Sequence, residues 1–237
     1  WIDAPKNPWH TKKIMIADGS IRSGKTVSVV DSFIMWSLAA FPEGSQFGIA
    51  GKSIGALRKN VLVPMFEILR AKGIPFEYIK NENILYISNN TYLLYGAPNE
   101  ASQDTLQGVT LAGGMLDEAA IMPRSFVDQF MGRCSVDGSK IFMTCNPLGP
   151  YHWFKNEYID KRNKKDIIYL HFTMDDNPSL SDERKEYYKN MFSGVFYKRN
   201  VLGLWVLSEG LIFDSFDMDK NGIDKSQVPT IMRRWYA

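Results

Sequence analysis

Gly19, Gly24, Lys25 and Thr26, in the run GSIRSGKT, have the types and spacing of a loop that wraps a triphosphate in its backbone N–H groups. The cradle would comprise Gly19, Ser20, Ile21, Arg22, Ser23, Gly24, Lys25 and Thr26. Glycines let the backbone approach an anion with no Cβ in the way, and a following helix points its partial positive end at the phosphates. Lys25 would reach the β- and γ-phosphates, and Thr26 would bring its hydroxyl to Mg²⁺. An ordinary glycine turn is the competing reading. The flanks weigh against it: Ile14 to Ala17 reads as a buried strand and Thr26 to Ala40 as a helix.

A phosphate cradle alone names no reaction. GGMLDEAA adds Asp117 at the end of an apolar stretch, placed to hold Mg²⁺ through water, and Glu118 beside it, placed to orient an attacking water. Acidic residues at a helix N-terminus would look the same in isolation. Gly113 and Gly114 weaken strand propensity just before the pair, unless close backbone approach requires them. FMTCNP would end a strand in Thr144, Cys145 and Asn146 and could present the Asn146 amide to the γ-phosphate or the lytic water, although Asn-Pro also starts turns. Arg22 could fold over the γ-phosphate, or simply face solvent or pair with Glu118. Arg124 and Arg133 bracket the next helix and could act as fingers for a neighbouring subunit; a solvated helix face is the plainer account of both. NKKD, Asn163 to Asp166, spells a guanine-reading motif, but it precedes its apolar strand where such motifs follow theirs. It reads as part of a charged loop, which leaves adenine as the base.

The elements that must hold these residues follow from periodicity. QFGIAGKS offers a second strand and IGALRKNVLVPMFEILRAKG an amphipathic helix ended by Gly73. FEYIKNENILYISNNTYLLYGA alternates, so antiparallel excursion strands with a turn at Asn89-Asn90 should feed a core strand at Tyr92 to Gly96. VTLAGGMLDE, KIFMTCNP and IIYLHFTM supply three further strands, with a helix from about Pro123 to Cys134 between the first two. Such alternation predicts an α/β fold, a mostly parallel central sheet with helices on both faces. LSDERKEYYKNMFSGVFYKRNVLG should form two helices broken at Ser193-Gly194, N-capped by Ser181, as a small helical lid. The division expected is a core over residues 1–177, a lid over 178–210 and a polar linker over 211–237.

Composition sets outer limits. The chain has 237 residues, 45% of them hydrophobic, and a formal net charge of +2, too small to announce a nucleic-acid partner by itself. Cys134 and Cys145 form no CxxC, and His10, His152 and His171 are scattered, so neither a disulfide framework nor a zinc site is indicated and a reducing cytoplasm fits. FIMWSLAAF is half the length of a membrane span and no basic leader precedes it, so no membrane association is expected. A start at Trp1 rather than Met suggests a trimmed chain.

Taken together, GSIRSGKT, MLDEAA, TCNP followed by LGPYHWFKNEYI, and DDNPSL running on to VLGLWVLSEGLIF resemble the ATPase domain of a tailed-bacteriophage terminase large subunit. The resemblance covers nearly the whole chain. It implies a P-loop ATPase of the RecA-like, additional-strand, catalytic-glutamate class. Such a domain assembles as a ring on the portal of a procapsid and drives double-stranded DNA inward with ATP and Mg²⁺. It further implies that Lys25 and Thr26 bind phosphate and metal, that Asp117 holds the metal, that Glu118 is the base, and that Asn146 couples hydrolysis to movement. Implied partners are DNA of any sequence, the portal and procapsid, the terminase small subunit and further copies in a ring, with a monomer in isolation and a host-cytoplasmic location. Two positions depart from the family pattern. Relatives often carry the loop arginine where this chain has Ile21, one residue before Arg22, and many carry a candidate trans arginine where this chain has Gln107. Full-length relatives continue into a nuclease whose first metal-binding aspartate follows an aromatic strand like RRWYA, so this chain is expected not to cut DNA. Arg58, Lys59 and the loop Lys155 to Lys165 are candidate DNA-gripping cations. A helicase or other RecA-like translocase remains the alternative reading.

Overall fold

The computed structural model describes residues 10–207. The chain runs β1 (Ile14–Gly19), α1 (Lys25–Ala40), β2 (Gln46–Gly51), α2 (Ile54–Leu57), α3 (Val63–Ala71), β3 (Phe76–Ile79), β4 (Ile84–Ile87) and β5 (Asn90–Gly96). It continues through β6 (Gly113–Leu116), α4 (Arg124–Arg133), β7 (Lys140–Cys145), β8 (Ile167–Phe172), α5 (Asp182–Met191) and α6 (Gly194–Phe196). All the strands join one sheet in the order β3-β4-β5-β2-β6-β7-β1-β8. From β5 to β8 every pairing is parallel, and β3 and β4 add an antiparallel edge.

Alternate residues of the central strands feed two apolar clusters, one on each face of the sheet. Met15, Ala17, Phe47, Ile49 and Phe142 pack with Val29, Phe33 and Trp36 of α1 and with Met65 and Leu69 of α3. Ile14, Ile16, Ala50, Ile141 and Met143 pack with Phe126, Val127 and Phe130 of α4. Strands covered on both sides read as unbroken apolar runs, which is why IMIA and KIFM were recognisable as core. The two glycines of β6 have a packing reason. A Cβ on Gly113 would stand 2.6 Å from the Trp36 ring, and one on Gly114 would stand 2.4 Å from Phe130. Aromatic rings press on this strand from both faces, and only glycine leaves room for them.

Local corrections are instructive. The hairpin turn lies at Ser88 and Asn89; Asn90 already pairs with Ile87 and opens β5. Its buried amide accepts from the Ser45 N–H at 2.8 Å and donates to the Ser37 carbonyl at 3.3 Å, so a turn-favouring residue serves as a strand-end bracket. The expected long amphipathic helix is interrupted by a π-helical turn, Arg58–Leu62. There Arg58 donates to the Tyr78 hydroxyl (2.7 Å), the Asn83 side chain (2.7 Å) and the Lys80 carbonyl (3.0 Å), tying the helix to the β3–β4 hairpin. Ser181 caps α5 as expected, accepting from the Arg184 N–H at 3.4 Å. The second lid helix is only α6 followed by a π-helical turn, Tyr197–Val201. Met174, Leu180 and Val201 bury together there, with Ile21 of the phosphate loop packed against them. The expected linker over 211–237 and the RRWYA strand lie outside the described residues.

Candidate nucleotide site

β6, β7 and β1 are parallel neighbours in that order, so their C-terminal ends open on one side of the sheet and bring three sequence motifs together. Gly24 takes the left-handed conformation (φ 81°) as the N-cap of α1 and offers no side-chain cap, leaving the helix N-terminus open to an anion. The Ser20 N–H donates to the Phe172 carbonyl and the Ile21 N–H to the Asn200 carbonyl, each at 2.9 Å, so these two amides face away from the cradle.

Lys25 is buried at the centre. Its ammonium donates to the Ser20 carbonyl at 2.9 Å and to Asn146 Oδ1 at 2.6 Å. Burial lowers its pKa, against the opposing pull of nearby acidic groups. Asp117 is 5% exposed, and its Oδ1 accepts from the Thr144 hydroxyl at 2.7 Å and from the Thr26 hydroxyl at 3.5 Å. Burial raises its pKa, while those hydrogen bonds and Lys25 hold the rise back. Thr144 also accepts the Glu118 N–H at 3.0 Å, so one hydroxyl ties the two acids to the end of β7. Glu118 has left-handed backbone (φ 57°), and burial first, then the Asp117 charge, raise its pKa. A carboxylate with a raised proton affinity beside a phosphate cradle has the character of a general base.

The fold thus brings Lys25, Thr26, Asp117, Glu118 and Asn146 together. Arg22 is exposed; its carbonyl accepts from the Asn177 amide at 2.7 Å. Ser23 closes the loop on itself, donating to the Ser20 carbonyl at 2.9 Å. Arg124 pairs with Asp128 along α4, and Gln107 donates to Asp104 at 3.3 Å. The buried thiol of Cys145 has its pKa pushed well above the ordinary value, mainly by burial, so it is no nucleophile. Sequence reasoning gave no role to Asp18, His171 or Trp205: the buried Asp18 carboxylate next to the loop accepts from the exposed His171 and the half-buried Trp205. Asn177 and Trp205 lie within the quoted DDNP and LGLWV stretches, so the signal was present as a motif without a mechanism.

A parallel sheet presenting a Gly-Lys-Thr loop, an Asp-Glu pair and a polar β7 end at one edge is a P-loop NTPase fold, here with β7 between the acidic strand and the loop strand. Residues 16–220 match the family described as "Terminase large subunit, T4likevirus-type, N-terminal". The large terminase from a thermophilic bacteriophage superposes with a TM-score of 0.84 at 50% identity, covering 92% of this chain and 54% of that one. The same thermophilic-phage protein in complex with ADP matches at 49% identity with a TM-score of 0.84, covering 92% of this chain and 55% of its own. Its ATP-gamma-S complex matches at 48% identity and a TM-score of 0.81, covering 92% and 53%. The bacteriophage HK97 large terminase shares the fold at 14% identity and a TM-score of 0.61, covering 81% of this chain and 46% of that one. No curated protein matches. The chain belongs to the family of terminase large-subunit N-terminal domains, which favours the packaging reading over the helicase alternative. It spans about half the length of the thermophilic-phage terminase. Among the described residues no helix is long and apolar enough to cross a membrane.

Proposed function

We propose that this chain is the ATP-hydrolysing motor domain of a viral DNA-packaging terminase, with residues 1–177 as its core and 178–210 as its lid. The observation that carries the reading is a single connected cluster: Lys25 bonded to the loop and to Asn146, with Thr144 tying Asp117 and Glu118 to the same strand end. The ADP and ATP-gamma-S complexes of the thermophilic-phage relative support adenine nucleotide as the ligand.

In this reading the amides from Arg22 to Thr26 receive the phosphates. Lys25 turns from Ser20 and Asn146 to the β- and γ-oxygens, which leaves the Asn146 amide free to meet the γ-phosphate. Glu118 accepts a proton from water as the water oxygen bonds to the γ-phosphorus; the bond from phosphorus to the bridging oxygen breaks, giving ADP and phosphate. Arg22 stands at the mouth of the loop and would offset charge on the leaving phosphate. A hydroxyl and a carboxylate facing each other across 3.5 Å, Thr26 and Asp117, suit Mg²⁺, which takes few protein oxygens and completes its shell with water and phosphate. When bound, that ion would neutralise charge on the phosphates.

The partners proposed are double-stranded DNA of any sequence, a portal on a procapsid, the terminase small subunit and further copies in a ring, in the host cytoplasm. The expected loop is in part a π-helical turn, Lys155–Ile159, which holds the half-buried Lys155, and Lys161 and Lys165 lie on the exposed turns that follow; Lys155 pairs with Asp160 and Lys161 with Glu157. Exposed pairs of this kind are weak enough to be exchanged for DNA phosphates. The decisive experiment is Glu118→Ala. ADP binding should persist while ATP turnover falls by on the order of a hundredfold or more; unchanged turnover would remove Glu118 from its role.

A further inference from the structure

The phosphate loop rests on a buried group that its own motif does not contain. Asp18, in β1 next to Gly19, is 0% exposed. Its Oδ1 accepts from His171 Nδ1 and its Oδ2 from Trp205 Nε1, each at 2.7 Å. A carboxylate so deep is tolerable only with such partners.

Trp205 belongs to an irregular stretch held against the loop at several points. Gly203 has left-handed backbone (φ 68°), and a Cβ there would stand 2.9 Å from Ser20 N and 3.0 Å from Gly19 Cα. The Arg199 guanidinium donates to the Val206 carbonyl at 2.6 and 3.2 Å, and the neighbouring Asn200 carbonyl receives the Ile21 N–H. On its other flank the Trp205 ring lies 6.2 Å from that of His152, which follows Asn146 after the end of β7. Trp205 therefore joins the strand that enters the loop to the segment that leaves Asn146. When Lys25 turns to a phosphate, the Ser20 carbonyl and Asn146 both lose its ammonium; the Gly203–Val206 stretch abuts the loop at Gly19 and Ser20, and the segment beyond Asn146 at His152.

We propose that Trp205 is a positioning residue for the nucleotide: by holding Asp18 it fixes the floor of the phosphate loop and makes Gly203–Val206 the stretch of chain that registers what the loop holds. The inference rests on the nucleotide reading above. Hydrogen exchange of the wild-type 237-residue chain should show the amides of 199–206 slowing by about threefold or more on addition of ADP or ATP-gamma-S. A second comparison uses glycines alike in backbone. Gly203→Ala and Gly138→Ala both load a positive φ, 68° and 78°, but a Cβ at Gly138 meets nothing within 4 Å. ADP should bind on the order of tenfold more weakly to Gly203→Ala and to Trp205→Phe, the latter losing one hydrogen bond to a buried carboxylate, and unchanged to Gly138→Ala. Should Gly203→Ala not fold, Trp205→Phe and the wild-type exchange data decide. Unaltered exchange, or wild-type affinity in Trp205→Phe, overturns the proposal. A wild-type chain that binds neither nucleotide, and so does not differ from Lys25→Ala, sinks the nucleotide reading and this inference with it.

Discussion

Asp117 shows how a single side chain trades stability for chemistry. Burial raises its carboxyl pKa above the ordinary value. Its contribution to stability is therefore full below the unfolded pKa and is lost as pH climbs through the folded one. At neutral pH the carboxylate is a standing cost, offset in part by Thr144, Lys25 and Thr26. Asp117→Asn should accordingly melt at a higher temperature than the parent at pH 7 in chelator, and the gap should close on acidification, while ATP turnover is lost; calorimetry across pH checks it. A lower melting temperature at pH 7 would mean that the Thr144 and Thr26 bonds and the Lys25 charge together outweigh desolvation. These residues were legible in the sequence because phosphate and metal chemistry restricts type and spacing. Asp18 was not, since a lone carboxylate at the end of an apolar strand carries no sign of the donors that reach it from residues 171 and 205.

At the scale of elements, the strands and helices next to the site were readable from period alone, because two-sided burial leaves unbroken apolar runs and α1 repeats Val29, Phe33, Trp36 on one face. What periodicity could not reveal were the π-helical turns, which keep a helix's apolar stripe, and the Gly203–Val206 stretch, which has no period because side-chain and main-chain bonds place it. Asn90 misled for a related reason: its amide brackets other segments instead of bending its own. Arg58 also changes role. A basic residue on an amphipathic helix suggested a DNA contact, yet its guanidinium is committed to the β3–β4 hairpin. Arg58→Ala should cost about 1–3 kcal/mol of stability and speed amide exchange in Phe76–Ile87, while DNA affinity stays as it was. A weakened DNA complex with unaltered hairpin exchange would restore the original reading.

Across the whole molecule, the sheet order places the loop strand, the β7 strand and the acidic strand side by side, and the antiparallel hairpin lies at the far edge from β8. The fold class was legible because six parallel strands need covering helices, and the chain alternates accordingly. The packing of α5 was harder to read, since it buries no residue of its own and is held through neighbours such as Leu180 and Val201. One local feature reaches the entire chain. Glu118 occupies a left-handed backbone that costs an ordinary residue about 1–2 kcal/mol and that glycine or asparagine adopts with ease. A library randomised at position 118 and sorted for heat resistance alone should therefore enrich Gly and Asn, and the hardiest survivors would fold, dock a nucleotide and never burn it.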